Sequence, residues 1–435
     1  MVGASKVTRP RVSNLERAYL LILLVIFGGI VLHAPLSVGL GTLLPDYSLL
    51  IKSWKEILII IACVIALIIL RHKRRIAILK EPLMIGIGIY LAIHLLCLVL
   101  LGGEASSVAA GLAIDVRYIL FFALIFIAMR LYPTYKPLFI KVGIAGALTV
   151  MTFALLQVFV LPADVLKYIG YSTSTIVPYL TVDQNTDFIR INSTLRGPNP
   201  LGAYALIVLT LLAAFWARGR HGALKRPMGI VTLLGIGGLV ALWASYSRSA
   251  LLGALVAIAV VVIAVHYKKI GRKLLIGGFV AVIVTIGILA AAVNTNYVST
   301  VLLHEDPAEG NNLNSNQGHI NSLQDGLRRL VVQPFGAGIG STGSASLYTE
   351  NPLIIENQYL FIAHEVGWLG IAFFVMIFIG ILARLWQRRS DWLSLGVFAS
   401  GIGLAIIGLL LPVWADDTIA IIWWGLAGLA IGDRR

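Results

Sequence analysis

Long apolar runs with almost no charge recur along the whole chain and limit the folds open to it. Of its 435 residues, 59% are hydrophobic and 12% are charged, whereas a soluble domain carries about 25% charged residues. A run of ~20 apolar residues crosses a bilayer as a helix, and a transmembrane β-barrel instead needs short alternating segments. The composition also excludes a soluble enzyme, a disordered chain and a disulfide-rich secreted domain. The sequence therefore predicts an all-α polytopic membrane protein.

The apolar runs predict about twelve transmembrane helices with both termini in the cytoplasm. Most of the 34 Lys and Arg residues fall in the termini and in alternate loops, which is the positive-inside pattern. The net charge of +14 therefore reflects orientation in the membrane, and no nucleic-acid partner is predicted. The predicted spans are residues 18–37, 54–70, 83–101, 107–130, 138–161, 199–217, 227–244, 249–266, 272–293, 357–383, 392–412 and 418–432.

Two long external segments interrupt the pattern of short turns. Residues 162–198 join the fifth and sixth spans, and residues 294–356 form a large loop between the ninth and tenth. This loop separates a region of nine spans, 1–293, from a region of three, 357–435. A loop of such length is usually functional or disordered, and this one is not purely polar.

The large loop contains a segment with helical periodicity. Apolar side chains recur over residues 318–333 and predict an amphipathic helix that lies on the membrane or caps a cavity. Pro334 ends this helix, and the glycine-rich run 336–340 follows. No strand or P-loop lysine accompanies the run, so it is interpreted as a flexible turn rather than a phosphate cradle. The periodic residues are Ile320, Leu323, Leu327, Leu330 and Val331.

Several arginines lie on the predicted outer side, where the positive-inside rule disfavours them. Guanidinium groups bind phosphate oxygens bidentately, so the set predicts a diphosphate-binding site. Taken singly, each arginine is equally well explained as an anchor at the membrane interface. The members are Arg190, Arg196, Arg248 and Arg328, with Arg329 beside the last.

Glu356 is the acidic residue best placed to act as a base near these arginines. Pro352 fits the first position of a helix capped by Asn351, which puts Glu356 about one turn inside that helix. The alternative is a solvated glutamate at a helix start. His364 and Glu365 are ~12–14 Å further along the helix, and His364 is interpreted as a buried core histidine.

Asp115 and Arg117 lie well inside the fourth span, where charged residues are functional by default. They are about 200° apart on a helix and cannot pair with each other, so each needs a partner elsewhere. Asp416 and Asp417, in the last external turn, are interpreted as a solvated pair. No metal or cofactor is predicted, because no His or Cys joins these carboxylates with ligand spacing.

Four motifs resemble elements of the O-antigen ligase and polymerase superfamily of membrane glycosyltransferases. Their order and spacing, the twelve spans and the large loop before span ten agree with that family. The motifs are Arg190 with Arg196-Gly197-Pro198-Asn199-Pro200-Leu201-Gly202, Ser247-Arg248-Ser249-Ala250, residues 333–341, and Glu356-Asn357 followed after nine residues by Gly367-Trp368-Leu369-Gly370.

The resemblance implies a metal-independent inverting glycosyltransferase with a membrane fold of the GT-C type. Its donor would be a glycan on undecaprenyl diphosphate, and its acceptor a sugar hydroxyl at the outer face of the bacterial inner membrane. Glu356 would be the general base, and Arg248 would both bind the diphosphate and stabilise the leaving group. The other diphosphate-binding candidates are Arg190, Arg196 and Arg328, and the secondary candidates are Asn357, His364, Asp115 and Arg117.

Glu356 stands where ligases of the family carry histidine, and this departure favours a polymerase of polysaccharide repeat units. The nearest alternative is an O-antigen ligase that transfers glycan to lipid A core or to a protein. A secondary transporter is the alternative from another class, but the short link 218–226 does not resemble the long connection between two six-span halves. Membrane lipids and other polysaccharide-assembly proteins are the further expected partners.

Overall fold

The structure is a computed structural model that describes residues 12–182, 185–218, 228–266 and 315–433, with the backbone alone for residues 315–322. It is 79% helical, as expected for an all-α polytopic membrane protein. The helices are α1 Asn14–Gly29, α2 His33–Leu43, α3 Ser48–Lys52, α4 Trp54–His72, α5 Pro82–Leu101, α6 Ala105–Leu131, α7 Lys136–Phe159, α8 Pro198–Arg218, α9 Met228–Ala244, α10 Arg248–His266, α11 Ser315–Val332, α12 Gln358–Gln387, α13 Trp392–Gly408 and α14 Asp417–Gly432. Short 3₁₀ turns occupy Ile30–Leu32, Pro45–Tyr47, Ile76–Lys80, Pro133–Tyr135, Val165–Ile169, Gly343–Tyr348 and Val413–Ala415.

Eleven of the twelve predicted spans coincide with apolar helical segments. The remaining one, 272–293, lies outside the described residues. Within the described part, seven helical segments are long and apolar enough to cross a membrane. The pair Pro45–Lys52 and Trp54–His72, bent by 45°, makes an eighth if it is one span. Helices α9, α13 and α14 are apolar but shorter.

Helix α14 lies at the centre of the bundle, with residues 418–432 all buried. Its Gly425, Gly428 and Gly432 face α6, and a Cβ on any of them would come within 2.6 to 2.9 Å of a side chain there. Small residues at this spacing let two membrane helices approach closely. The close α6–α14 contact is therefore specified by these glycines.

Helices α8, α10 and α13 form a second tightly packed group. Gly253 of α10 and Gly403 of α13 face each other, and a Cβ on Gly253 would lie 2.8 Å from the Gly403 carbonyl oxygen. Gly202 of α8 lies against the turn before α10, where its Cβ would be 2.8 Å from Ser245 Oγ. These approaches bring the starts of α8 and α10 to the same end of the bundle as the end of α13. Helices α12 and α14 also begin at this end of the bundle, which we call the mouth.

The first external segment contains a β-hairpin that the sequence analysis did not predict. Strand β1, Leu180–Val182, pairs antiparallel with β2, Asn185–Arg190. The chain after β2 joins the bundle, because Ile191 N–H donates to the Ala244 carbonyl at 3.2 Å. The hairpin therefore lies at the mouth.

The amphipathic segment of the second external loop is helical, as predicted, and forms α11. It contacts α12 through Gly326, where a Cβ would lie 2.9 Å from Leu360. Its apolar residues Leu323, Leu327 and Val331 are exposed. The apolar side of α11 is thus turned away from the bundle, as expected of a helix that lies on a membrane surface.

Candidate active site

Arg190, at the end of β2, joins two of the sequence motifs. Its Nε donates to the Ser245 carbonyl at 2.9 Å, and its Nη2 donates to Asn199 Oδ1 at 2.7 Å. Ser245 belongs to the turn that precedes α10, and Asn199 belongs to the first turn of α8. The half-buried guanidinium of Arg190 therefore connects the hairpin, the motif that contains Asn199 and the turn that precedes Arg248.

Arg248 is the first residue of α10 and follows a sharp turn. Tyr246 adopts a positive φ of 47°, a left-handed conformation that reverses the chain between α9 and α10. Ser247 Oγ lies 3.3 Å from Ser249 Oγ, and both serines are buried. The turn therefore holds half-buried Arg248 at the mouth, three residues after the carbonyl that Arg190 binds.

Arg196 is exposed at the mouth and acts electrostatically on Asp416. Partial burial raises the pKa of the Asp416 carboxyl, and the nearby guanidinium groups of Arg196 and Arg117 oppose that shift. Asp416 also caps α14, accepting from the N–H groups of Thr418 and Ile419 at 3.0 Å each. The prediction that Asp416 is simply solvated is therefore wrong, because it is a helix cap beside two arginines.

The sequence does not identify the partner of Arg117, and in the structure this partner is Asp417. The two side chains form an ion pair, and Asp417 Oδ2 also lies 3.1 Å from Lys55 Nζ and 2.9 Å from His33 Nε2. Lys55 in turn pairs with Glu56 at 3.1 Å. The solvated interpretation of Asp417 is wrong as well, because three basic side chains surround it. This network anchors the start of α14 and the Asp416 cap.

Asp115 lies in a separate buried cluster. His94 Nε2 is 3.7 Å from Asp115 Oδ2, and the carboxyl group of Glu365 lies within electrostatic reach of Asp115. Glu365 is fully buried. The structure thus brings Asp115 to α12 and Arg117 to α14, on different sides of α6.

The glycine-rich run packs against the bundle around the carboxyl group of Glu365. Gly340 and Thr342 donate their N–H groups to Glu365 Oε1 at 3.1 and 3.4 Å. Gly340 has a φ of 80°, and a Cβ there would lie 2.2 Å from the Ser107 carbonyl oxygen. The prediction of a flexible turn is wrong, because the loop needs glycine to fit against α6 and its backbone N–H groups bind the carboxyl group of Glu365.

Glu356 lies before α12, whereas the sequence analysis placed it one turn inside a helix. The helix begins at Gln358, and Asn357 caps it by accepting from Tyr359 N–H and Leu360 N–H, both at 3.0 Å. Asparagine is a strong N-cap residue, and it takes the role expected of Asn351. Glu356 is half-buried in the extended segment just before the cap.

The segment before Glu356 is held by the glycine-rich loop. Thr342 Oγ1 donates to the Leu353 carbonyl at 3.1 Å and accepts from Ile355 N–H at 3.2 Å. Gly343 N–H also donates to the Leu353 carbonyl, at 2.8 Å. These contacts keep residues 353–355 extended, so the helix cannot begin at Pro352.

Asn357 and Gln358 connect Glu356 with the segment that leads to Asp416. Asn357 Nδ2 donates to the Leu409 carbonyl at 2.8 Å, and Gln358 Oε1 accepts from Trp414 N–H at 2.7 Å. Glu356, the candidate base, therefore lies at the same end of the bundle as Arg196 and Asp416. Asn357 is only a secondary candidate in the sequence, and Gln358 is not predicted from it.

His364 and Arg328 are the remaining candidates. His364 is buried at 4% exposure in α12, as expected of a core histidine, but its hydrogen-bonding capacity is not satisfied, because the buried Nδ1 has no hydrogen-bond partner within the described residues. Arg328 is exposed on α11, next to Arg329, which pairs with Asp325 at 2.7 Å. Of the predicted set, the structure joins Arg190 to the turn of Arg248 by a hydrogen bond and places Arg196 within electrostatic reach of Asp416.

Fold and site together define a polytopic helical membrane protein with an arginine-rich mouth. Residues 230–375, about a third of the chain, match a family model described as O-antigen ligase. The match confirms the resemblance to the O-antigen ligase and polymerase superfamily and supports a bacterial membrane enzyme of that type. It includes Arg248 and Glu356 but not Arg190 or Arg196. The chain matches none of the curated proteins.

Proposed function

We propose that this protein polymerises polysaccharide repeat units by transferring glycan from undecaprenyl diphosphate to the sugar hydroxyl of another repeat unit. The observation that carries the proposal is the Arg190 guanidinium, bound to the Ser245 carbonyl and to Asn199. It brings two family-like motifs to one mouth, together with Arg248. A site of this composition suits a diphosphate, because arginine binds phosphate oxygens with fixed geometry.

In the proposed reaction the acceptor oxygen bonds to the anomeric carbon as the bond from that carbon to the diphosphate oxygen breaks. Inversion at the anomeric carbon follows from attack opposite the leaving group. Undecaprenyl diphosphate leaves with the bonding electrons, and Arg190, Arg196 and Arg248 stabilise its negative charge. Arg328 is a further candidate for the same anion. No metal takes part in this proposal.

Glu356 takes the proton of the acceptor hydroxyl. Its position supports this role, since it lies before the helix cap at the mouth rather than inside a helix. Asn357 and Gln358 hold it there through the segment 409–414. Asp115, Arg117 and His364 are proposed to maintain the fold of the site without contacting substrate.

A ligase is the second candidate, and the family model described as O-antigen ligase favours it. Both reactions use the same donor and differ in the acceptor, which is a second repeat unit for a polymerase and lipid A core or a protein for a ligase. The glutamate at position 356, where family ligases carry histidine, favours the polymerase.

The proposal includes a location and an orientation. The protein resides in the bacterial inner membrane with a GT-C-like fold, its termini are cytoplasmic and the mouth faces the periplasm. The basic loops at the end opposite the mouth support this orientation.

The test supplies the purified full chain with a lipid-linked repeat unit as the sole substrate, without added metal. A ladder of longer lipid-linked glycans, formed far more slowly by Glu356→Gln, is the expected result. Transfer only after lipid A core or a protein acceptor is added would establish the ligase. No product in any arm, with a donor from the native host, would overturn the glycosyltransferase proposal.

A further inference from the structure

A polar cavity of about 260 Å³ lies at the end of the bundle opposite the mouth. It is formed where α5 begins and where α6, α12 and α14 end. The lining residues are Glu81, Arg130, Arg384, Gln387, Arg388 and Ile431. Three of the six are arginines, and none of the six takes part in the proposed transfer.

The carboxylates at this cavity are outnumbered by the basic groups around them. Glu81 Oε2 lies 2.9 Å from Arg130 Nη2 and 3.5 Å from Arg384 Nη1. Two guanidinium groups therefore share one carboxylate, and a positive charge remains. Arg384 is also within electrostatic reach of Arg388, so the three arginines repel one another across the cavity.

Helix capping explains only one of these arginines. Arg388 donates to the Ala430 carbonyl at 3.1 Å and pairs with Asp433 at 2.9 Å, as expected of a cation at the end of a helix. Among the described contacts, Arg130 and Arg384 donate to no helix-end carbonyl. The Arg130 side chain is 11% exposed, and its buried Nε has no hydrogen-bond partner within the described residues.

We propose that this cavity binds a phosphate-bearing anion, either the headgroup of an anionic membrane lipid or a free phosphate compound. A phosphate group accepts from several guanidinium groups at once and neutralises the surplus charge. Basic pockets between membrane helices at their cytoplasmic end are suited to lipid headgroups. The bound anion joins α5, α6, α12 and α14 at the end of the bundle away from the mouth.

Gln387 and Arg389 provide a matched pair of variants. Gln387→Glu adds a negative charge at the cavity without removing an ion pair, because glutamine is uncharged, and Gln387 is exposed, so the substitution disturbs little packing. Arg389→Gln lowers the charge by the same amount at the same helix end, but Arg389 stacks on Trp386, with its guanidinium carbon 4.5 Å from the ring centroid, and does not line the cavity. Arg384→Gln removes a lining cation directly.

The experiment is native mass spectrometry of the purified full chain with phosphatidylglycerol, with phosphatidylcholine of the same chains as the neutral comparison. We expect preferential binding of phosphatidylglycerol that falls about tenfold with Arg384→Gln, a loss of about 1.4 kcal/mol. Gln387→Glu weakens it at least threefold and Arg389→Gln leaves it unchanged.

Competition with inorganic phosphate and with pyrophosphate distinguishes the two sources. Binding of phosphate or pyrophosphate by the delipidated chain, lost in Gln387→Glu, identifies a free anion as sufficient. Binding of phosphatidylglycerol that neither compound displaces identifies a lipid site. Equal effects of Gln387→Glu and Arg389→Gln, or no preference for any phosphate-bearing probe over phosphatidylcholine, would overturn the proposal.

Discussion

The fully buried carboxyl group of Glu365 accepts a hydrogen bond from the backbone N–H of Gly340 at 3.1 Å. The same oxygen accepts from Thr342 N–H, and the Thr342 hydroxyl holds the strand-like segment that ends just before Glu356. A side chain in the interior of the bundle is thus connected to the candidate base through a short series of hydrogen bonds.

Glu365→Ala is expected to destabilise the protein by ~2 kcal/mol or more, because two buried N–H groups lose their acceptor. Glu365→Gln keeps an acceptor oxygen and is expected to lose far less. Melting temperatures of the two purified variants in the same detergent check this expectation. Equal stability of the alanine and glutamine variants would show that the loop does not depend on the Glu365 oxygen.

Arg190→Lys is expected to lower transfer about tenfold or more while the protein still accumulates. Lysine keeps the charge but cannot donate to Ser245 and Asn199 with the fixed geometry of a guanidinium. Lys167→Gln, an exposed change in the same external segment, is the control. The measurement is the initial rate of glycan transfer, and a rate unchanged in Arg190→Lys would remove the guanidinium geometry from the proposed site.

Arg248→Ala is expected to abolish transfer without loss of expression. The change removes the cation at the start of α10, where the proposed leaving group gains charge. Activity of membranes with matched amounts of each protein checks it. Retained activity would exclude Arg248 from the site, whatever the outcome at Arg190.

Most of the helical architecture was predictable from the sequence, because apolar length alone identifies a membrane helix. The start of α12 was not predictable in the same way. The sequence predicted Asn351 as the N-cap, whereas the cap is Asn357, and this start depends on the contact of residues 353–355 with the loop that contains Thr342 and Gly343. Tertiary contacts of this kind leave no local pattern.

The ionic partners were also beyond the sequence. That Arg117 needs a partner followed from its position in a span, but Asp417 lies about 300 residues further along the chain. Two adjacent aspartates in a turn are usually solvated, and only the packing of α14 against α6 brings Asp417 to Arg117. The excess of positive charge on the outer side was the one sequence feature that indicated carboxylate partners for these basic residues.

Asp416→Asn is expected to remove a pH dependence of stability. Because burial raises the folded-state pKa of Asp416 above its ordinary value of 3.8, the folded protein binds this proton more tightly than the unfolded chain. Its contribution to stability is therefore present at low pH and is lost as the pH rises through the raised pKa.

Asparagine keeps the cap on Thr418 and Ile419, so the variant is expected to gain stability relative to the parent chain over the acidic range that begins at the ordinary pKa of 3.8 and extends upward. Melting temperatures across that range check the sign. The opposite trend would mean that the favourable charges of Arg196 and Arg117 outweigh burial at this carboxyl.

Glu356→Gln is expected to lower the turnover number by about a hundredfold or more, with a much smaller change in donor binding. The amide has nearly the size of the carboxylate but cannot accept the proton of the acceptor hydroxyl. Glu350→Gln, at an exposed glutamate of the same loop, controls for the loss of one negative charge near the mouth. Turnover and donor affinity are measured separately on purified protein. A selective loss of donor affinity in Glu356→Gln would assign this residue to binding, and an equal effect of Glu350→Gln would indicate long-range electrostatics rather than proton transfer.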